Sequence, residues 1–191
     1  MSILVTVIAE AALLSILRYL VKKTDNKKNL QIIALSILLM YFVCLFMITL
    51  GNRTSDSAGE TNLILFSTFR RMFAPTLHRL QEWGFPRGLQ ELKWIGYPSW
   101  ESIVLNLLLL VPLGYLAPMS IRIINTWWKA LLTGFVISLL IETAQLVFHR
   151  GWFDVDDIFL NTLGTVGGWC LYKRIIEPIT VREQKPEENT V

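Results

Sequence analysis

The sequence predicts an all-α fold: a polytopic membrane helix bundle of about five transmembrane helices, with an extracellular amphipathic segment between the second and the third. Three observations predict it. The 191 residues are 53% hydrophobic and 17% charged, with a mean hydropathy of +0.47, whereas an average soluble domain carries roughly 25% charged residues. The apolar residues gather in long blocks, and a helix needs ~20 of them to cross a ~30 Å hydrocarbon core. Lysine and arginine cluster beside particular blocks. With a net charge of +3, that distribution suits a topology signal better than a nucleic-acid patch, and no nucleic-acid motif is present.

The first block, Ser2 to Val21, is long enough to span although it holds Glu10 and Arg18. It lacks a basic start and a small-residue cleavage site, so it reads as a retained span and not as a signal peptide. The connection after it, "RYLVKKTDNKKN", carries five basic residues and one acid. By the positive-inside rule it is cytoplasmic, which leaves the N-terminus outside. Leu30 to Leu50 is the cleanest span. Alternation puts 51–100 outside, 120–126 inside, 149–156 outside and the C-terminal tail in the cytoplasm. Arg122 and Lys129, then Lys173 and Arg174, flank the inner ends as the rule requires. The chain thus divides into two N-terminal spans (1–50), an outer segment (51–100), a three-helix core (101–175) and a polar, flexible tail (176–191) of a multi-pass plasma-membrane protein.

Within the outer segment, Phe69, Met72, Phe73, Leu77, Leu80 and Trp83 recur at helical spacing, with Arg70, Arg71, His78 and Arg79 largely elsewhere around the helix. Such a helix lies in the membrane interface or packs on the spans. Trp94, Tyr97 and Trp100 fit an interfacial aromatic belt leading into the third span, Ser102 to Met119. Cys44 and Cys170 sit singly in apolar blocks and read as small buried hydrophobes, not as a disulfide or a metal site. No cofactor motif, CxxC spacing or Cys/His cluster is present in the sequence.

Function is sought in the polar residues of the spans, because ionisable groups there face the bundle interior and mark functional paths. In the fourth span, Trp127 to Phe148, Glu142 and Gln145 share one helical face with His149 beyond them. In the fifth, Ile158 to Tyr172, the residues Asp154, Asp157, Asn161, Gly164 and Gly168 step by three and four along another face. A short turn joins these helices, so they form an antiparallel pair whose polar faces meet near its outer end. Glu142 lies six residues before Phe148, ~9 Å at 1.5 Å per residue. Asn106 enters the third span at comparable depth, and Arg150 is the natural counter-ion. The result is a polar pocket in the outer leaflet lined by Asn106, Glu142, Gln145, Arg150, Asp154, Asp157 and Asn161. Plainer roles stand beside this one. Asp154 or Asp156 can cap the fifth helix, Asn106 and Asn161 can bond between helices, and Gly164 with Gly168 suits close packing. Asp156 points away from the shared face. Glu142 resists a purely structural account most strongly, since a buried carboxylate needs a proton, a cation or several donors.

The stretches "NLLLLVPLGYL" (106–116), "ETAQ" (142–145) and "RGWFDVDDIFLNTLG" (150–164), with a weaker match at "NLILF" (62–66), resemble the VanZ-like membrane proteins associated with glycopeptide resistance. Leu65 stands where the family usually has proline, and Gly164-Thr165 where it often has paired glycines. The resemblance implies a role in lowering susceptibility to teicoplanin-like lipoglycopeptides at the cell surface, without an implied mechanism. The expected activity is non-enzymatic, with membrane lipids and a lipid-linked cell-wall precursor or lipoglycopeptide as partners. The alternative is a membrane hydrolase or transferase on a lipid-linked substrate, with Glu142 as general base and Asp154 and Asp157 holding a divalent cation. Against it, the sequence has no HExxH, no histidine cluster and no evident nucleophile–base pair. A third reading leaves the polar residues only fixing helix packing.

Overall fold

The structure is a computed structural model and describes residues 3–24, 26–51, 61–70, 74, 78, 81 and 97–182. Helix α1 (Ile3–Lys23) is followed closely by α2 (Lys27–Phe46), which runs on as a π-helical turn at Met47–Gly51. Asn26 starts α2: its side chain accepts the Lys28 N–H at 2.8 Å, satisfying a donor that the first turn leaves unpaired. A two-residue strand β1 (Thr61–Asn62) precedes α3 (Tyr97–Leu109) and α4 (Val111–Ser120). Then come α5 (Trp127–Val147), a second short strand β2 (Phe153–Asp154), α6 (Val155–Leu171), a π-helical turn at Tyr172–Ile176 and α7 (Glu177–Arg182).

Segments 3–23, 27–51, 100–120 and 127–147 are each long and apolar enough to cross a membrane. The third of these was expected as one helix, yet it breaks at Leu110 between α3 and α4. Pro112 lies two residues on; it has no N–H to donate and its ring crowds the carbonyl four residues back. Tyr41 of α2 donates its hydroxyl to the Leu109 carbonyl beside the break, at 2.6 Å. The fifth predicted span is α6, which starts at Val155 rather than Ile158 and continues through the π turn into α7. The helix thus extends beyond the predicted span at both ends, but among the described residues only the four segments above are long and apolar enough to cross a membrane. The segment expected as a polar tail from residue 176 begins as helix, because Ile176 is fully buried and Ile179 packs on the same core.

Helix α6 is the axis of the bundle, packed along α5, α4 and α3, while α1 lies against α3 and the terminal α7. Backbones touch along α6. A methyl group on Gly164 would stand 2.0 Å from the Leu107 carbonyl oxygen, and one on Gly168 would stand 2.1 Å from that of Val111. Both glycines therefore serve the contact with α3 and α4. The approach to α5, where the sequence placed their role, is instead made by Gly134 against Thr165.

Burial is inverted relative to a water-soluble bundle. Ile8, Leu39 and Leu140 are 58–59% exposed, whereas Ser138, Glu142, Gln145 and Asn161 are 3% exposed or less. Apolar surface this continuous is a liability in water and the solvated surface in lipid; the chain is a membrane protein. Cys44 and Cys170 lie on that exposed apolar surface, contrary to their expected burial. Hydrophobicity here marks contact with lipid as well as the core.

Candidate functional site

The buried face of α5 is its polar one. Gly134, Ser138, Glu142 and Gln145 recur at intervals of four, four and three and are all buried. At its end α5 closes with Phe148 as C-cap and His149 in the left-handed region at φ 53°. The Arg150 N–H returns to the Gln145 carbonyl at 2.8 Å and the His149 N–H to that of Leu146 at 3.2 Å, the pattern of a Schellman cap. His149 was expected on the face of Glu142. It instead serves as the residue that reverses the chain, a place histidine takes more readily than most residues.

Helix α6 begins at Asp154, which caps it: the side chain accepts the Asp156 N–H at 2.9 Å. The same carboxylate accepts Asn62 Nδ2 on both oxygens, at 3.0 and 3.1 Å, and the Asp154 N–H donates to Glu142 Oε2 at 3.1 Å. Strand β1 pairs in parallel with β2, Thr61 with Phe153 and Asn62 with Asp154. Asp156, 1% exposed, turns the other way and holds the outer segment. It accepts the N–H of Phe66, the N–H of Thr68 at 2.8 Å and the Ser67 hydroxyl at 3.4 Å. Phe66, at φ 63°, sets its ring edge-on to Phe69 and Phe159. Phe69 packs on Ile103 and Leu160, hence on the spans; most of the predicted amphipathic helix falls outside the described residues.

Below this clasp lies a cavity of about 210 Å³. Asn106, Glu142, Gln145, Asp157 and Asn161 line it, five of the seven residues expected in the pocket. Asn106 Nδ2 donates to Asp157 Oδ1 across the α3–α6 contact. Asn161 Nδ2 donates to Ser138 Oγ at 2.9 Å, and Gln145 Nε2 to the Thr49 carbonyl at 3.5 Å. The remaining acceptors, Gln145 Oε1 and Asn161 Oδ1, are buried and have no hydrogen-bond partner. A buried acceptor left empty costs about 1–3 kcal/mol, and both of these lie on residues that line the cavity.

Asp154 and Arg150 do not belong to the described lining. The cap geometry takes Asp154 into the clasp, and Arg150 follows the chain reversal at His149. Residues the sequence reading missed include Thr6 of α1, Thr49 of the π-helical turn after α2 and Ser102 of α3, which line the cavity, and Ser138, which supports Asn161. Ser138 was findable, being one turn from Glu142 on the same face. Thr6 and Thr49 carried no signal, since single threonines in apolar spans usually bond their own helix, as Thr49 also does to Leu45.

A family model described as VanZ/LLP1 matches residues 32–177. The chain belongs to the VanZ-like family. No curated protein and no solved structure matches it. The VanZ-like region takes in α2 through the start of α7, and so every element that lines the cavity except α1. The three VanZ-like stretches noted in the sequence converge here, with Asn106, Glu142, Gln145, Asp157 and Asn161 drawn from all of them. The weaker fourth, "NLILF", supplies Asn62 and Phe66 to the clasp.

Proposed function

We propose that the cavity receives the polar headgroup of a membrane-embedded ligand from the outer leaflet. Through it, the protein lowers susceptibility to teicoplanin-like lipoglycopeptide antibiotics without catalysing a reaction. The observation that carries this reading is the pair of unpartnered acceptors, Gln145 Oε1 and Asn161 Oδ1, on a cavity also lined by Glu142 and Asp157. Such a lining favours a guest with N–H or O–H donors. Size narrows the guest further: at about 210 Å³ the cavity is below the ~300–1,000 Å³ of pockets for drug-sized ligands. It suits a lipid headgroup or one sugar and leaves a glycopeptide's peptide core outside. The ligand's chain would stay in the bilayer beside the exposed apolar faces of the spans.

The test is the teicoplanin susceptibility of cells expressing Gln145→Leu, Glu142→Ala and Asp157→Ala at wild-type levels. Gln145→Leu keeps the volume and removes the acceptor, so protection should fall while the protein still purifies as a folded species. Wild-type protection by all three variants would sink the proposal. Turnover of a lipid-linked substrate, abolished by a chelator, would favour the hydrolase or transferase reading instead.

A further inference from the structure

A second cavity, of about 390 Å³, lies at the opposite end of the bundle, where α2 begins, α4 ends and the last helix passes Tyr172. We propose that it binds the phosphodiester headgroup of an anionic phospholipid. This site is independent of the Glu142 cavity and of the function proposed there.

Charge is the first support. Lys27 and Arg122 both line the cavity, and the first turn of α2, which begins at Lys27, adds the positive end of its dipole. The acid on the wall, Glu177, is engaged by Lys173 Nζ at 2.5 Å, which offsets its charge. Arg122 Nη2 donates to Gln31 Oε1 at 3.4 Å. That long contact steers the guanidinium and leaves other donors of its fork for phosphate oxygens.

Depth is the second support, and it selects a lipid over a free anion. Three apolar-to-polar boundaries converge on the cavity. The buried face of α2 starts at Leu30, three residues after Lys27; buried Ile176 directly precedes Glu177; and Arg122 sits between exposed Ile121 and Ile123. Exposed Trp127 and Trp128 follow at the start of α5, as in an interfacial belt. The cavity therefore stands at headgroup level, with a cationic rim over an apolar floor that includes Leu30 and Met119. Phosphate at the rim and glycerol over the floor would use both surfaces, whereas inorganic phosphate would use only one. Basic pockets between spanning helices at an anionic leaflet are suited to such headgroups, and the volume lies within the ~300–1,000 Å³ of ligand sites.

The experiment is native mass spectrometry of the full chain in detergent with added phosphatidylglycerol or phosphatidylcholine. Phosphatidylglycerol should be retained preferentially. Lys27→Gln with Arg122→Gln should weaken its retention about thirty-fold, from roughly fivefold per cation, and bring it to the level of phosphatidylcholine. Lys27→Arg should keep the preference, and so should Lys28→Gln, whose exposed side chain is outside the described lining. Lys27 is itself exposed, so Lys27→Gln alone gives a folded variant with an intermediate loss. Equal retention of the two lipids, or an unchanged preference in the double variant, would overturn the proposal. Displacement of phosphatidylglycerol by millimolar inorganic phosphate would overturn the assignment to a lipid.

Discussion

Asp156 and Glu142 are both buried carboxylates in a chain that meets lipid on most sides, and each is accounted for differently. Asp156 collects two backbone N–H groups and a hydroxyl from residues 66–68, so it fastens the segment after β1 to the start of α6. Glu142 accepts the Asp154 N–H from one side and lines the cavity on the other. The consecutive acids of "DVDD" thus divide three tasks: Asp154 caps, Asp156 clasps and Asp157 faces the cavity. Spacing alone separated Asp156 from the others, but it could not reveal the clasp, because Phe66 and Thr68 are about ninety residues away in the chain. Hydrogen bonds to a charged acceptor contribute about 1.5–3 kcal/mol each. Asp156→Asn is therefore expected to release the 61–70 segment, seen as faster thiol labelling of a Leu63→Cys reporter, while α1 to α6 remain folded. Unchanged labelling would mean that the β1–β2 pairing holds the segment without Asp156.

Helix α6 shows how a small side chain decides the packing of an element. Gly164 and Gly168 lie within contact of the Leu107 and Val111 carbonyls, whereas a methyl group on Gly167 would meet nothing within 4 Å. Gly164→Ala must push α6 away from α3, so it should lower the detergent melting temperature and disturb the Asn106–Asp157 bond about two turns earlier along α6. Gly167→Ala should be neutral or stabilising by up to ~1 kcal/mol, since alanine is the better helix former. Equal melting of the two variants would show that the helices do not approach this closely. The glycine spacing was visible in the sequence as a packing face. Its partner was not: two neighbouring helices compete for one face, and periodicity carries no information about which of them wins.

Across the whole molecule, the two ends of the bundle differ in charge character. Thr6, Thr49, Asn106, Glu142 and Asp157 gather at one end, and Lys27 and Arg122 at the other. The positive-inside rule predicts that the Glu142 end faces outward. In a variant with Cys44 and Cys170 replaced, Leu63→Cys should react with a membrane-impermeant maleimide on intact cells. Lys28→Cys should react only after permeabilisation. The opposite pattern would reverse the orientation and place the cavity in the inner leaflet.

The sequence by itself determined the helical class, the places of four of the five predicted spans and the polar faces of α5 and α6. Each of these follows from the period of the helix and from the cost of polar groups in lipid, which act along one stretch of chain. Tertiary structure alone decided the break at Leu110 and its Tyr41 partner, the β1–β2 clasp, the contributions of Thr6 and Thr49, and the engagement of Asp154 by Asn62. These depend on contacts between remote segments, where steric fit and the satisfaction of buried hydrogen bonds choose among partners that local pattern leaves equal.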